Sequence, residues 1–142
     1  MKYDPIAVRP RHDLTAGEVW GIEEGLYAFN VEATGYDDGE GLGFVAENDG
    51  ELIGAVAGYS WGRICELRQM WVRADHRRSG LGSALLEAAI AEAARRGCAH
   101  VTLTTFDFQA PDFYRRHGFI EIARVPDKPL GHVEHIMRRI CR

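Results

Sequence analysis

Arg77, Arg78, Gly80 and Gly82 crowd into one short stretch, RRSGLG, directly ahead of the run SALLEAAIAEAARR. That run carries apolar residues at helical spacing, and β-prone residues around Trp71 and Val72 precede the loop. A strand, a tight loop and a helix start therefore follow one another. The first turn of a helix leaves backbone N–H groups without intrahelical partners and carries about half a positive charge. Gly80 and Gly82 lack the Cβ that would block an approaching anion. Backbone amides of Arg78, Ser79, Gly80, Leu81, Gly82 and Ser83 can then converge on phosphate oxygens. The guanidinium groups of Arg77 and Arg78 add charge and planar donor forks. The stretch reads as a pyrophosphate site.

Two other phosphate loops are excluded. A nucleotide-triphosphatase loop needs a lysine after its last glycine, and none is present; a dinucleotide fingerprint needs glycine at the position of Leu85. What remains is R-x-x-G-x-G, Arg77 to Gly82, shortly after Val72. It resembles motif A of the GNAT superfamily of N-acetyltransferases. FYRRHGF, from Phe113 to Phe119, is similar to that family's Tyr-x-x-x-Gly-Phe segment, and the two motifs stand in the family's order. The similarity runs from Leu42 to Val125.

The resemblance implies an α/β (α+β) fold: a mixed, mainly antiparallel sheet of six to seven strands, helices on both faces and a splayed central strand pair. It implies acetyl-coenzyme A held on the arginine and glycine loop. Its acetyl group would pass to a primary amine, on a small molecule or a peptide, by direct attack in a ternary complex. Backbone groups of Met70, Trp71 and Val72 would hold the pantetheine and thioester, and an N–H there would polarise the acetyl carbonyl. Tyr114 takes the place of the proton donor to the departing thiolate; the alternative is an aromatic packed beside Phe113 and Phe119.

Glu66 falls where the protein-lysine acetylating branch carries its general base, and a carboxylate suits an ammonium that must lose a proton. Pairing with Arg68 or Arg63 is the other reading of this residue. Asp107 departs from the asparagine usual at its position. The acidic stretch with Asp37, Asp38 and Glu40 corresponds to the family's acceptor-side connection, where Tyr27, Asn30 and Tyr36 would line the site; a merely solvated loop is the alternative. His76 and His117 read as solvent-facing and His132 as an acceptor-side contact. No nucleophilic Ser–His or Cys–His arrangement is read. A non-catalytic acyl-coenzyme A module is the alternative function.

The elements that position these residues follow from periodicity. Ile6–Pro10 alternates like a first strand, and Asp13 is placed to cap a helix bearing Leu14, Val19, Trp20, Ile22, Leu26 and Phe29. Gly17, Gly21 and Gly25 predict a kink or break in that helix. Leu42–Glu47 and Glu51–Tyr59 read as strands joined by an Asn48-Asp49-Gly50 turn, with another strand beginning at Ile64. A helix over Ser83–Arg96, ended by Gly97, crosses over to a buried strand, Cys98–Thr105. Pro111 and Gly118 bound a short helix, and Phe119–Val125 and Val133–Ile140 form the last strands. In the central strand, plain alternation would put Glu66, Arg68, Met70 and Val72 on one face; the resemblance implies a bulge.

The 142 residues suit one domain spanning the chain, and a net charge of −4 without a basic stripe argues against nucleic-acid binding. No apolar run is long enough for a membrane span and no signal-peptide pattern is seen, so a cytoplasmic location is expected. The three cysteines lack metal-ligand or disulfide spacing, so reduced thiols and no metal are expected. Some relatives exchange their final strands across a homodimer, which leaves that state open here.

Overall fold

The computed structural model describes residues 6–141. They fall into two compact units, divided between Asp37 and Asp38. In the first unit, helix α1 runs unbroken from Ala16 to Thr34. Its cap is Thr15 and not Asp13: the Thr15 hydroxyl accepts from the Glu18 N–H at 3.1 Å, and the Glu18 carboxylate accepts from the Thr15 N–H at 3.3 Å. Asp13 pairs instead with Arg11. Gly35, at φ 78°, ends the helix. The three internal glycines do not break α1, and none of its residues is buried. The strand expected over Ile6–Pro10 does not form, and Ile6 and Val8 are almost fully exposed. Local alternation is not enough where no neighbouring strand supplies a ladder.

The second unit is a six-stranded mixed sheet in the order β1-β2-β3-β4-β6-β5. β1 (Glu40–Asn48) and β2 (Glu51–Trp61) make a hairpin through Asp49 and Gly50, whose φ values of 51° and 80° suit the turn that matches strand twist. β3 (Ile64–Val72) pairs antiparallel with β2. Helix α2 (Leu81–Arg95) then crosses over to β4 (His100–Phe106), which is parallel to β3. The short helix α3 (Pro111–Arg116) leads to β5 (Ile120–Pro126), and β6 (Val133–Ile140) inserts between β4 and β5. No described helix is long and apolar enough to cross a membrane.

One core organises this unit. Leu85, Leu86, Ala89, Ile90 and Ala93 form the buried stripe of α2, at the helical spacing read from the sequence. They share a cluster with Val56, Leu67, Val101, Leu103, Met137, Phe119 and Tyr114. Burying each of the leucines and the isoleucine contributes about 1.5–3 kcal/mol, so this layer holds α2 firmly, and the alanines let it pack close. α2 begins two residues earlier than its apolar pattern suggests, because Gly80, at φ 85°, is the cap residue. Its far end is fixed by Arg96, which donates to Ser60 Oγ at 2.9 Å and to the carbonyls of Glu40 and Gly41 at 3.2 and 3.0 Å.

The thiols lie at the edge of the same core, Cys65 and Cys98 buried and Cys141 partly so. Burial pushes Cys65 up to about 11, and Cys98 and Cys141 upward as well. All three are therefore held as thiols.

Candidate functional site

The site begins with a failure of pairing. β3 and β4 are in register only from Ile64 to Glu66 against His100 to Thr102; beyond Glu66 the two strands part. A bulge lies at the same place. Ala57 pairs with Gln69 and Gly58 with Leu67, which leaves Arg68 as the extra residue of β3. The bulge reverses the alternation. Cys65 and Leu67 are buried before it, and Met70 and Val72 pack against the core after it. Glu66 and Met70 thus face opposite sides of the sheet, correcting plain alternation and agreeing with the bulge implied by the family.

The parted strands open a cavity of about 1020 Å³. One wall is Leu67 to Val72 of β3, the other is Leu103 to Thr105 of β4. Gly80, Gly82 and Ser83 from the start of α2 close one end, and Phe113, Tyr114 and Arg116 of α3 lie alongside. Beyond Glu66, the β4-facing backbone groups of β3 have no strand partner among the described residues, so they are free to pair with an extended ligand.

Charge adds a second restriction. Arg68, Arg77, Arg78 and Arg116 line the cavity, and no carboxylate does among the described residues. With the positive end of α2 between them, they make a site for a polyanion. Arg77 Nε donates to the Val72 carbonyl at 3.1 Å, tying the loop to the end of β3. Arg78 adopts φ 61°, a left-handed conformation uncommon outside glycine. The short 3₁₀ turn Ala74–His76 sits between these two arginines and β3.

Most residues expected to bind the cofactor line the cavity: Met70, Trp71, Val72, Arg77, Arg78, Gly80, Gly82 and Ser83. Ser79 and Leu81 do not; the Ser79 hydroxyl donates to the His76 carbonyl, and Leu81 packs on the core. Tyr114 lines the cavity and is 8% exposed, with Phe113 and Phe119 rings edge-on to it. Burial raises its phenol above the ordinary range, so it stays protonated at neutral pH. Glu66 is half exposed, lies 3.6 Å from Arg68 Nε and is not a lining residue. In the first unit, Tyr27 donates to Asp37 at 3.0 Å, the Asn30 carbonyl accepts from Thr34, and Tyr36 is exposed.

Asp107 pairs with His132 Nδ1 at 3.0 Å, and Phe108 sets its ring against the same histidine. His76 is partly buried and lies 4.0 Å from Asp75. His117, expected to face solvent, does not. Its side chain is 17% exposed, with Nε2 3.0 Å from Ser83 Oγ and Nδ1 2.7 Å from Glu87 Oε1. A Ser–His–acid arrangement therefore exists where none was read. Its trace in the sequence is the four-residue spacing of Ser83 and Glu87, which puts both on one face of α2. Arg68, Arg116, Thr105 and Gln109 were also not foreseen as lining residues.

A six-stranded, mostly antiparallel sheet opened at its parallel pair, with helices packed on it, is a fold shared with acetyltransferases. The chain matches the model of the acetyltransferase (GNAT) family over residues 7–119 and belongs to that family. It is 39% identical over 89 residues to the blasticidin-S acetyltransferase of Streptomyces morookaense, a match spanning 62% of this chain and 65% of that one. The chain thus spans a little under two thirds of that relative. Among solved structures, an acetyltransferase from Bacillus cereus ATCC 14579 superposes with a TM-score of 0.76 at 29% identity, covering 93% of this chain and 97% of the other. A nourseothricin acetyltransferase superposes with a TM-score of 0.64 at 30% identity, covering 72% and 66% of the two chains.

Proposed function

We propose that this chain transfers an acetyl group from acetyl-coenzyme A to a primary amine on a small molecule, by direct attack in a ternary complex. The observation that carries this reading is the arginine-lined cavity at the parting of β3 and β4, with no lining acid among the described residues. Bound acetyl-coenzyme A would supply an acyl group already activated as a thioester. The start of α2, Arg77 and Arg78 would hold its phosphates, and the unpaired edge of β3 its extended arm. A backbone N–H at Met70, Trp71 or Val72 would polarise the carbonyl that the amine attacks.

Two proton movements complete the reaction. Tyr114, kept protonated by its burial, gives a proton to the leaving sulfur and regains one from solvent. The proton lost by the amine goes to Glu66, directly or through water. Glu66 is the last β3 residue paired with β4, so it stands at the apex of the opening, and its contact with Arg68 is long and exposed. Relatives named for blasticidin S and nourseothricin support a small molecule as the acceptor. The family model crosses from the first unit into the second, which supports reading residues 1–142 as one acetyltransferase domain.

The absence of a lining carboxylate among the described residues also suits a module that binds acyl-coenzyme A without turnover. One experiment separates the two: calorimetric binding of acetyl-coenzyme A, then thiol release in the same sample across a panel of small amines and peptides. Binding with amine-dependent release supports the transferase. Binding without release from any amine supports the module, and no binding removes both.

A further inference from the structure

Ser83 lines the cavity in the first turn of α2, and behind it stands a relay that the transfer reaction does not use. Ser83 Oγ is 3.0 Å from His117 Nε2, and His117 Nδ1 is 2.7 Å from Glu87 Oε1. The ring meets Ser83 and Glu87 of α2 and the Phe113 ring of α3, and the nearby cation is Arg139 of β6, which reaches Glu87 and the His117 carbonyl rather than the ring. Arg139 Nη1 donates to the His117 carbonyl at 2.8 Å and to Glu87 Oε1 at 3.3 Å, so it fixes both partners.

The protons can be assigned from chemistry. Hydrogen bonds from His117 and the charge of Arg139 hold the Glu87 carboxyl below its usual range, so it is ionised and can only accept. Nδ1 therefore carries a hydrogen. In a neutral ring Nε2 is then an acceptor, and the Ser83 hydroxyl must donate to it. The Ser83 hydrogen then points away from the cavity, and only oxygen lone pairs face a phosphate. A second proton on the ring reverses this. Nε2–H donates to Ser83 Oγ, and the Ser83 O–H turns to the phosphate.

We infer that Ser83, His117 and Glu87 form a proton-linked clamp in which binding of a phosphate-bearing ligand draws one solvent proton onto His117 and turns the Ser83 hydroxyl toward the ligand. No covalent bond changes. The proton moves from solvent to Nε2, and the Ser83 hydrogen moves from one acceptor to another. Arg139 opposes the added charge and Glu87 favours it, while the negative charge of the incoming phosphate tips the balance toward it. His117 is thus a positioning residue that makes cofactor affinity depend on pH. This rests on the reading of the cavity as a coenzyme A site.

The test is calorimetric titration with coenzyme A in two buffers of different ionisation enthalpy, each at the same pH, which counts protons taken up on binding. Wild type should take up up to about one more proton than His117→Gln or Ser83→Ala, whereas the ligand's own ionisation contributes equally to all three. Wild-type affinity should tighten as pH falls from about 8.5 to 6.5, and at the lower pH His117→Gln should bind roughly tenfold more weakly. Should one variant fail to fold, the other carries the comparison. Equal proton counts in wild type and a folded variant would overturn the clamp and leave the coenzyme A site standing. No binding by wild type would overturn both.

Discussion

A Cβ built on Gly58 would stand 2.2 Å from the carbonyl oxygen of Glu66. The bulge at Arg68 brings the two backbones together, and only a residue without a side chain can face it. The contact also lies where β3 leaves β4, so the shape of the cavity depends on a glycine outside its lining. Neither neighbouring atom is the end of a flexible side chain, because the next contact is the Leu67 Cα at 3.0 Å.

Gly58→Ala should therefore destabilise the protein by about 3 kcal/mol, the scale of an overpacked interior, and weaken coenzyme A binding in whatever folded fraction remains. Chemical denaturation and calorimetry check the two parts. An unchanged unfolding midpoint would show that the bulge relaxes around the methyl.

Gly82 presents the opposite case. A Cβ there would meet Phe113, Met70 and Val72 at 3.6 to 3.8 Å, which is ordinary contact. Gly82→Ala should leave stability within about 0.5 kcal/mol of wild type. Gly82→Leu, which adds bulk without charge at the cavity's end, should lower coenzyme A affinity by about tenfold or more. Equal affinity for the leucine variant would take the start of α2 out of the binding site.

The strand, loop and helix around Arg77 were legible because their signals are local: glycine freedom, arginine charge and apolar spacing all fall within a few turns of chain. Helix α2 still began earlier than read, since a left-handed Gly80 caps it and Ser83 does not. The capping box of Thr15 and Glu18 was also present in the sequence, and Asp13 was only the more conspicuous acid. What the sequence hid is what tertiary contact decides. Ile6–Pro10 alternates like a strand but gains no ladder, whereas Ser83 and His117 meet only because α3 is packed beside the start of α2. Likewise, Arg68 lines the cavity only because the register slips beside it. The resemblance supplied the bulge and the place of Tyr114; elementary chemistry alone did not.

Tyr114→Phe removes the phenolic proton and keeps the ring that packs on Phe113 and Phe119. Under the proposed mechanism kcat should fall by about 10²–10⁴, the usual contribution of a positioned acid, with little change in coenzyme A affinity. Stability should hold, because the edge-on ring contacts are retained. Turnover equal to wild type would assign the sulfur's proton to another source.

The far end of α2 predicts a response to acid. Glu92 accepts from Arg95 and Arg96, and those bonds, Arg95 first, bring its carboxyl down to about 2. A carboxyl depressed by folding contributes its full stabilisation above its ordinary value of 4.5 and loses it as pH falls toward about 2. Glu92→Gln should be less stable than wild type at neutral pH, and it should lose less over that acid window when unfolding midpoints are compared. Arg96→Met tests the anchor itself. It should cost about 2–3 kcal/mol, because Ser60, only 4% exposed, and the carbonyls of Glu40 and Gly41 lose their charged donor. Parallel acid profiles for wild type and Glu92→Gln would mean that Arg96 holds the sheet without help from Glu92, and the two predictions would then separate.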